Sequence, residues 1–178
     1  LGNNNAYCQD NPLSWVNWNL DKADRHFLEF VRRMIRIRHD HPVFRRRKFF
    51  EGRPIHGGAV KDIAWHNPNG SEMSEEEWNQ HFARSLCVYL SGSALDECDR
   101  YGQPIRDDDF LLLINAHFET IPFTLPDYPG KTPWLCILDT AHAEGLATDG
   151  SFLNGSLFPL RGRSLALLTR PHRPTEPL

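Results

Sequence analysis

The chain has 178 residues, 40% hydrophobic and 24% charged, which fits one globular core or a small domain with an appendage. Its net charge of −3 argues against a dedicated nucleic-acid binder, whose surface is strongly basic. No apolar run approaches the roughly 20 residues of a membrane span, and Leu1–Asp10 is too polar and amide-rich to read as a secretory signal. Neither nucleic acid nor membrane is therefore expected as a partner.

The opening Leu-Gly-Asn-Asn-Asn, without an initiator methionine, reads as if cut from something longer. Cys8, Cys87, Cys98 and Cys136 form no C-x-x-C pair, so no zinc or thioredoxin-type motif is written here. Disulfide-stapled scaffolds are shorter and denser in cysteine, so reduced thiols and a cytoplasmic location are expected.

In chain order, residues 1–18 read as a loop. Asn3, Asn4 and Asn5 are poor in helix and strand, and Pro12 interrupts any regular element. Tyr7, Trp15 and Trp18 add aromatic surface to it. A helix is predicted from about Leu20 to His39, with Asn19 or Asp21 as N-cap. Ala23, Phe27, Phe30, Val31, Met34 and Ile37 recur at helical spacing, with Leu28 and Ile35 widening the stripe. Pro42 ends it, because its ring clashes with the preceding turn and it has no N–H.

From Phe49 onward short apolar runs alternate with turns. Strands are predicted at Ile63–Trp65, Leu86–Leu90, Phe110–Ile114, Ile121–Leu125, Trp134–Leu138, Leu157–Leu160 and Leu165–Leu168. Seven short strands at regular spacing predict an antiparallel β-sandwich. His117–Thr120 reads as a hairpin connection between two of them. Ser74 and Glu77 form an S-x-x-E capping box, so a short helix is expected from Glu75 to about Phe82. The tail beyond Thr169, with Pro171, Pro174 and Pro177, is expected to fray.

Several patterns invite a functional reading and do not sustain it. Residues 22–54 hold eleven Lys or Arg against four Asp or Glu, densest at Arg45–Lys48. Phe44, Phe49 and Phe50 lie beside them as stacking residues would. The remainder of the chain is acidic and would repel a polyanion, so a solvated face or interdomain ion pairs are expected. No H-x-x-x-H, H-E-x-x-H or G-x-S-x-G motif is present, and no cofactor is implied. Asp107-Asp108-Asp109 lacks the alternating ligands of a calcium loop and is expected to be a solvated turn. Asn4, Asn5, Tyr7, Gln9 and Asp10 differ in kind. Amide donors and acceptors, a carboxylate and a flat ring are the mixture that reads sugar hydroxyls and ring faces. The competing reading is a loop whose side chains satisfy its own backbone.

Gly2–Asn11 closely resembles a loop of isoamylase-type glycogen debranching enzymes of the α-amylase superfamily. The resemblance continues through Ser14-Trp15 and Trp18, His41–Arg46, Asp62–Trp65, Gly70–Met73, Trp78, Ala83–Leu86, Leu111–Ala116 and Leu138–Ala141. It spans most of the chain and is weaker at Asp96–Tyr101 and past Thr169. It implies that residues 1–44 are the end of a (β/α)8 catalytic barrel, the loop after strand eight and the last helix. Residues 45–178 would be the C-terminal β-sandwich. Loops at this end of a barrel border the active cleft, so Asn4, Asn5, Tyr7, Gln9 and Asp10 are the implied substrate-binding residues.

The family's catalytic nucleophile, general acid and further Asp sit in motifs on earlier strands, so no catalytic residue is expected in this chain. The implied parent cleaves α-1,6 branch linkages in glycogen or limit dextrin. The implied partners are α-glucan and the preceding portions of the same protein. Two alternatives remain: a non-catalytic α-glucan-binding sandwich module, and a related trehalose-releasing hydrolase. The broad apolar helix counts against the first, and Tyr7–Asn11 favours debranching over the second.

Overall fold

The computed structural model describes residues 7–54, 60–80, 84–142, 145 and 150–172. Helix α1 spans Lys22–Asp40, and Asp21 caps it by accepting from the Asp24 amide at 2.8 Å. Arg38 and His39 in its last turn suit the negative helix end. Pro42 stops it as expected and starts a 3-10 turn, Pro42–Arg45, whose Val43 is buried.

Among the described residues eight strands come after it, all pairing antiparallel: β1 Ile63–His66, β2 Ser85–Leu90, β3 Asp109–Asn115, β4 Ile121–Thr124, β5 Trp134–Asp139, β6 Ser151–Phe152, β7 Leu157–Leu160 and β8 Ser164–Arg170. All seven predicted strands are present, and the two-residue β6 is the addition. Six strands form one sheet in the order β1-β2-β3-β8-β5-β6, while β4 and β7 form a second. The architecture is mainly antiparallel β, a sandwich of unequal sheets.

The core lies between the sheets. Cys87, Tyr89, Leu111, Leu113, Trp134, Cys136, Ala166 and Leu168 face inward from the large sheet, and Phe123, Phe158 and Leu160 close over them from the small one. Strand alternation then puts Leu86, Val88, Leu90, Phe110, Leu112, Leu165 and Leu167 on the opposite face, around a second cluster that includes Val43 and Leu95. The central strand β3 is thus wanted apolar on both sides, which explains its unbroken run Phe110–Ile114. In β5 the register against β8 shifts between Cys136 and Leu138. That bulge moves Leu138 into the second cluster, although Trp134 and Cys136 belong to the first.

The hairpin expected at His117–Thr120 is not one. β4 leaves β3 and pairs with β7 in the other sheet, so the segment is a corner between sheets. Asn115 holds it: its Nδ2 donates to the carbonyls of Glu119, Leu160 and Arg161 at 2.8, 3.1 and 3.1 Å. The capping box forms, with Ser74 N donating to Glu77 Oε2 at 2.8 Å and Glu77 N to Ser74 Oγ at 3.3 Å. Its helix, α2, spans Glu75–Trp78, and the expected end at Phe82 lies outside the described residues. Pro174 and Pro177 of the tail lie outside them too.

The acidic triplet is not a solvated turn. Asp107 is buried and accepts from the Val43 amide at 2.9 Å, with His41 Nδ1 2.8 Å from its other oxygen. Asp109 pairs with Arg170 at 2.9 Å. The triplet lies where the end of α1 meets the sheet, and desolvation there demands partners for each charge. The basic run is similarly engaged: Arg46 with Asp62, Arg47 with Glu97, Lys48 with Asp96.

Helix α1 finds a partner within the chain, but along one edge only. Phe30 and Ile37 pack against the second cluster, and no residue of α1 is fully buried. Phe27, Met34 and Ile35 remain exposed, Phe27 by 67%.

Candidate functional site

The N-terminal loop is described from Tyr7 onward, so Asn4 and Asn5 lie outside the described residues. Residues 9–15 fold into a compact turn built by their own polar groups. Asn11 O accepts from the amides of Ser14 and Trp15, at 2.9 and 3.1 Å, while Asn11 Oδ1 accepts from Leu13 N at 3.0 Å. Asn11 Nδ2 donates to Gln9 Oε1 at 3.1 Å, and Trp15 Nε1 donates to Asp10 Oδ1 at 2.8 Å. Gln9 and Asp10 are thereby brought together with Asn11 and Trp15, and their polar atoms are partly spent on the loop. The aromatic surface is not spent: Tyr7, Trp15 and Trp18 are 84%, 61% and 75% exposed. Chemically this is a self-bonded polar turn flanked by exposed aromatic rings, a combination able to stack against a ligand and to accept hydrogen bonds.

A second polar assembly is buried inside the sandwich. Tyr89 and Tyr128 stack with centroids 3.6 Å apart. His66 Nε2 lies 2.8 Å from Tyr128 Oη and Nδ1 lies 3.1 Å from the Gly70 carbonyl. The pairing with a carbonyl puts the proton on Nδ1 and makes Nε2 the acceptor of the tyrosine O–H. Arg170 lies over the Trp134 ring at 4.4 Å and donates to Tyr128 O at 3.2 Å. Burial pushes both tyrosines up and pulls His66 below its usual value, and it pushes the Cys87 thiol up to about 12. The tyrosines, His66 and Cys87 are held neutral, and His66 is satisfied by Tyr128 and Gly70, which suits a structural network rather than proton transfer. All four cysteines are free thiols.

The third feature lies on the outer face of the large sheet, where α2 leans over the ends of β2 and β3. Trp65 points outward from β1 and meets Trp78 edge to face, ring centroids 5.5 Å apart. Trp78, Met73, Gln80, Arg84, Leu86 and Ile114 line an open groove of about 340 Å3. Sequence reasoning located α2 from its capping box and strand β1 from its apolar run, but did not bring the two tryptophans together. Their meeting depends on the 66–74 turn, where Met73 N donates to Trp65 O at 2.8 Å. A larger open groove, about 860 Å3, runs along α1 and is lined by His26, Arg33, Arg36 and Ile137 among others. Among the described residues, no group of three or more His, Cys, Asp or Glu side chains is placed to hold a metal ion. No described helix is long and apolar enough to cross a membrane.

Against known proteins, residues 62–169 match the family described as "Isoamylase, C-terminal". The "Glycogen operon protein GlgX homolog" of Mycobacterium tuberculosis (strain ATCC 25618 / H37Rv) is 41% identical over 170 residues, covering 95% of this chain and 23% of that protein. The "Glycogen debranching enzyme" of Dickeya chrysanthemi is 34% identical over 126 residues, 71% of this chain and 16% of that protein. That of Pectobacterium atrosepticum is 35% identical over 127 residues, 71% and 15%. The chain thus spans less than a quarter of the length of these relatives.

Proposed function

The chain belongs to the isoamylase C-terminal family, and from that membership we propose that it is the C-terminal part of an enzyme hydrolysing α-1,6 branch linkages in glycogen or limit dextrin. The observation that carries this reading is the extent of the similarity to the mycobacterial relative. It covers 95% of the chain, more than the sandwich at 62–169 accounts for, and so takes in most of the N-terminal loop and α1.

On this reading residues 1–44 complete a catalytic barrel and 45–178 form the appended sandwich. The joint falls in the 3-10 turn, where Val43 is already buried in the sandwich's second cluster. The exposed stripe of α1, Phe27, Met34 and Ile35, seats the barrel. Asn4, Asn5, Tyr7, Gln9 and Asp10 line the rim of the substrate cleft, Tyr7 offering a ring face and Asp10 an acceptor. Retaining hydrolysis needs two carboxyl groups about 5 Å apart across the scissile bond. That pair belongs to the preceding three-quarters of the parent. The parent works in the cytoplasm, where its free thiols stay reduced.

The test is direct. The longer protein releases linear maltooligosaccharides from glycogen, and removing the segment equivalent to 1–178 abolishes release. Trehalose as the product identifies the sibling hydrolase instead, and glycogen binding by the longer protein without any hydrolysis identifies a binding module.

A further inference from the structure

The groove beneath α2 has a composition that the sandwich core does not explain. An exposed tryptophan on a helix end is ordinarily covered by its own domain. Here Trp78 is 51% exposed and Trp65 36%, and the rings support each other edge to face. Along the same groove Gln80 and Arg84 bring an amide and a guanidinium that make no hydrogen bond to a described residue. Leu86 and Ile114, paired across β2 and β3, form the half-buried floor. The volume, about 340 Å3, is in the range of small-ligand sites, roughly 300–1,000 Å3.

A pyranose ring has an apolar C–H face and a rim of hydroxyls, each both donor and acceptor. An indole face beside an amide and a guanidinium meets both needs. We propose that this groove is a contact site for a linear α-glucan chain, separate from the N-terminal loop, with Trp78 as the stacking platform and Arg84 and Gln80 as the hydroxyl-reading groups. The proposal rests on the reading that the parent acts on α-glucan. Because glycogen is polyvalent, a weak second contact on the sandwich raises the effective concentration of chains at the enzyme.

The test uses the 178-residue chain and the indole N–H NMR signals of its five tryptophans, assigned with single Trp→Phe variants. Titration with maltoheptaose shifts the Trp65 and Trp78 signals saturably, cellohexaose does not, and buried Trp134 stays still. W78A weakens binding about tenfold, the loss of one ring's contact, and W78F retains part of it. R84A, at an exposed position that leaves the fold alone, also weakens it. In the parent, W78A raises KM for glycogen and leaves kcat on a short branched oligosaccharide unchanged.

Movement of Trp15 and Trp18 only, no movement at all, or equal response to cellohexaose overturns the proposal. So does a parent that debranches glycogen while its Trp78 is shielded from acrylamide quenching without ligand, since the groove is then filled by polypeptide. A parent that debranches nothing refutes the functional reading by itself, whatever the tryptophan signals do.

Discussion

Asp62 has no solvent exposure, and its carboxylate takes four bonds from described residues. Arg46 Nη1 and the amides of Glu51, Gly52 and Ile63 donate to it at 2.9–3.0 Å. Its arginine partner is 4% exposed, so removing the carboxylate strands a buried guanidinium. Asp62→Ala is expected to cost about 3–5 kcal/mol in urea denaturation. Arg47→Ala, in a pair whose arginine is 79% exposed, costs under about 1 kcal/mol. Equal effects at the two sites would show that burial does not set the difference. His66 carries a pH prediction. Burial depresses its pKa below the ordinary 6.5, so between the two values the unfolded chain binds a proton that the folded ring refuses. That contribution is fully present above about pH 6.5 and is lost as pH falls through the window beneath it, at up to about 1.4 kcal/mol per pH unit. His66→Asn is expected to be less stable near neutrality and to lose less stability on acidification. Parallel acid limbs for the two proteins contradict the assignment.

At the scale of elements, α1 is the weakly held one. It is 19 residues long, yet among the described residues its hydrophobics packed against the sheet's cluster are Phe30 and Ile37, whereas β3 and β8 pair along seven residues each and are buried on both faces. Amides of Phe27–Ile37 are expected to exchange faster than those of β3 and β8, and equal protection would mean that α1 has a fuller partner in this chain than its packing indicates. The docking also has a specific point of failure. A Cβ on Gly145 would lie 2.5 Å from a ring carbon of Phe30 and 3.2 Å from Leu138, at a φ of +59° that disfavours a side chain. Gly145→Ala should therefore speed exchange in α1 while the central strands keep their protection. If the strands loosen equally, the helix is an integral part of the sandwich.

The molecule as a whole combines a sandwich with a helix and loop that keep part of their apolar surface exposed. Phe27, Met34 and Ile35 on α1, with Trp15 and Trp18 before it, expose more ring and aliphatic area than a small domain can gain from. Burying several such side chains at roughly 25 cal/mol per Å2 is worth several kcal/mol, comparable to the stability of a small domain. The 178-residue chain is accordingly expected to associate with itself through this surface, visible as a concentration-dependent mass in sedimentation. A monomer at high concentration would argue against an outward-facing seat. The chain is also expected to release no maltooligosaccharide from glycogen or pullulan, and reproducible release by the pure chain would overturn the placement of the catalytic pair elsewhere.

What the sequence determined by itself was local and periodic. Asp21 and Pro42 bound the helix, Ser74 and Glu77 start the second one, and alternation with turn residues places the strands, because each of these signals acts within a few residues of chain. The sandwich class came from the count and spacing of strands, and Tyr7–Asn11 with the later motifs carried the family. Partnership across the chain was decided only in three dimensions. Asp107 reads as solvated until His41 and Val43 arrive 66 and 64 residues away. The segment after β3 reads as a hairpin until Asn115 ties it to Leu160 and Arg161. Leu138 reads as sharing a face with Trp134 and Cys136 until a bulge turns it to the other one. Trp65 and Trp78 read as two tryptophans until a turn sets them edge to face. Desolvation, register and ring contact are properties of neighbours in space, and the spacing of residues along the chain does not contain them.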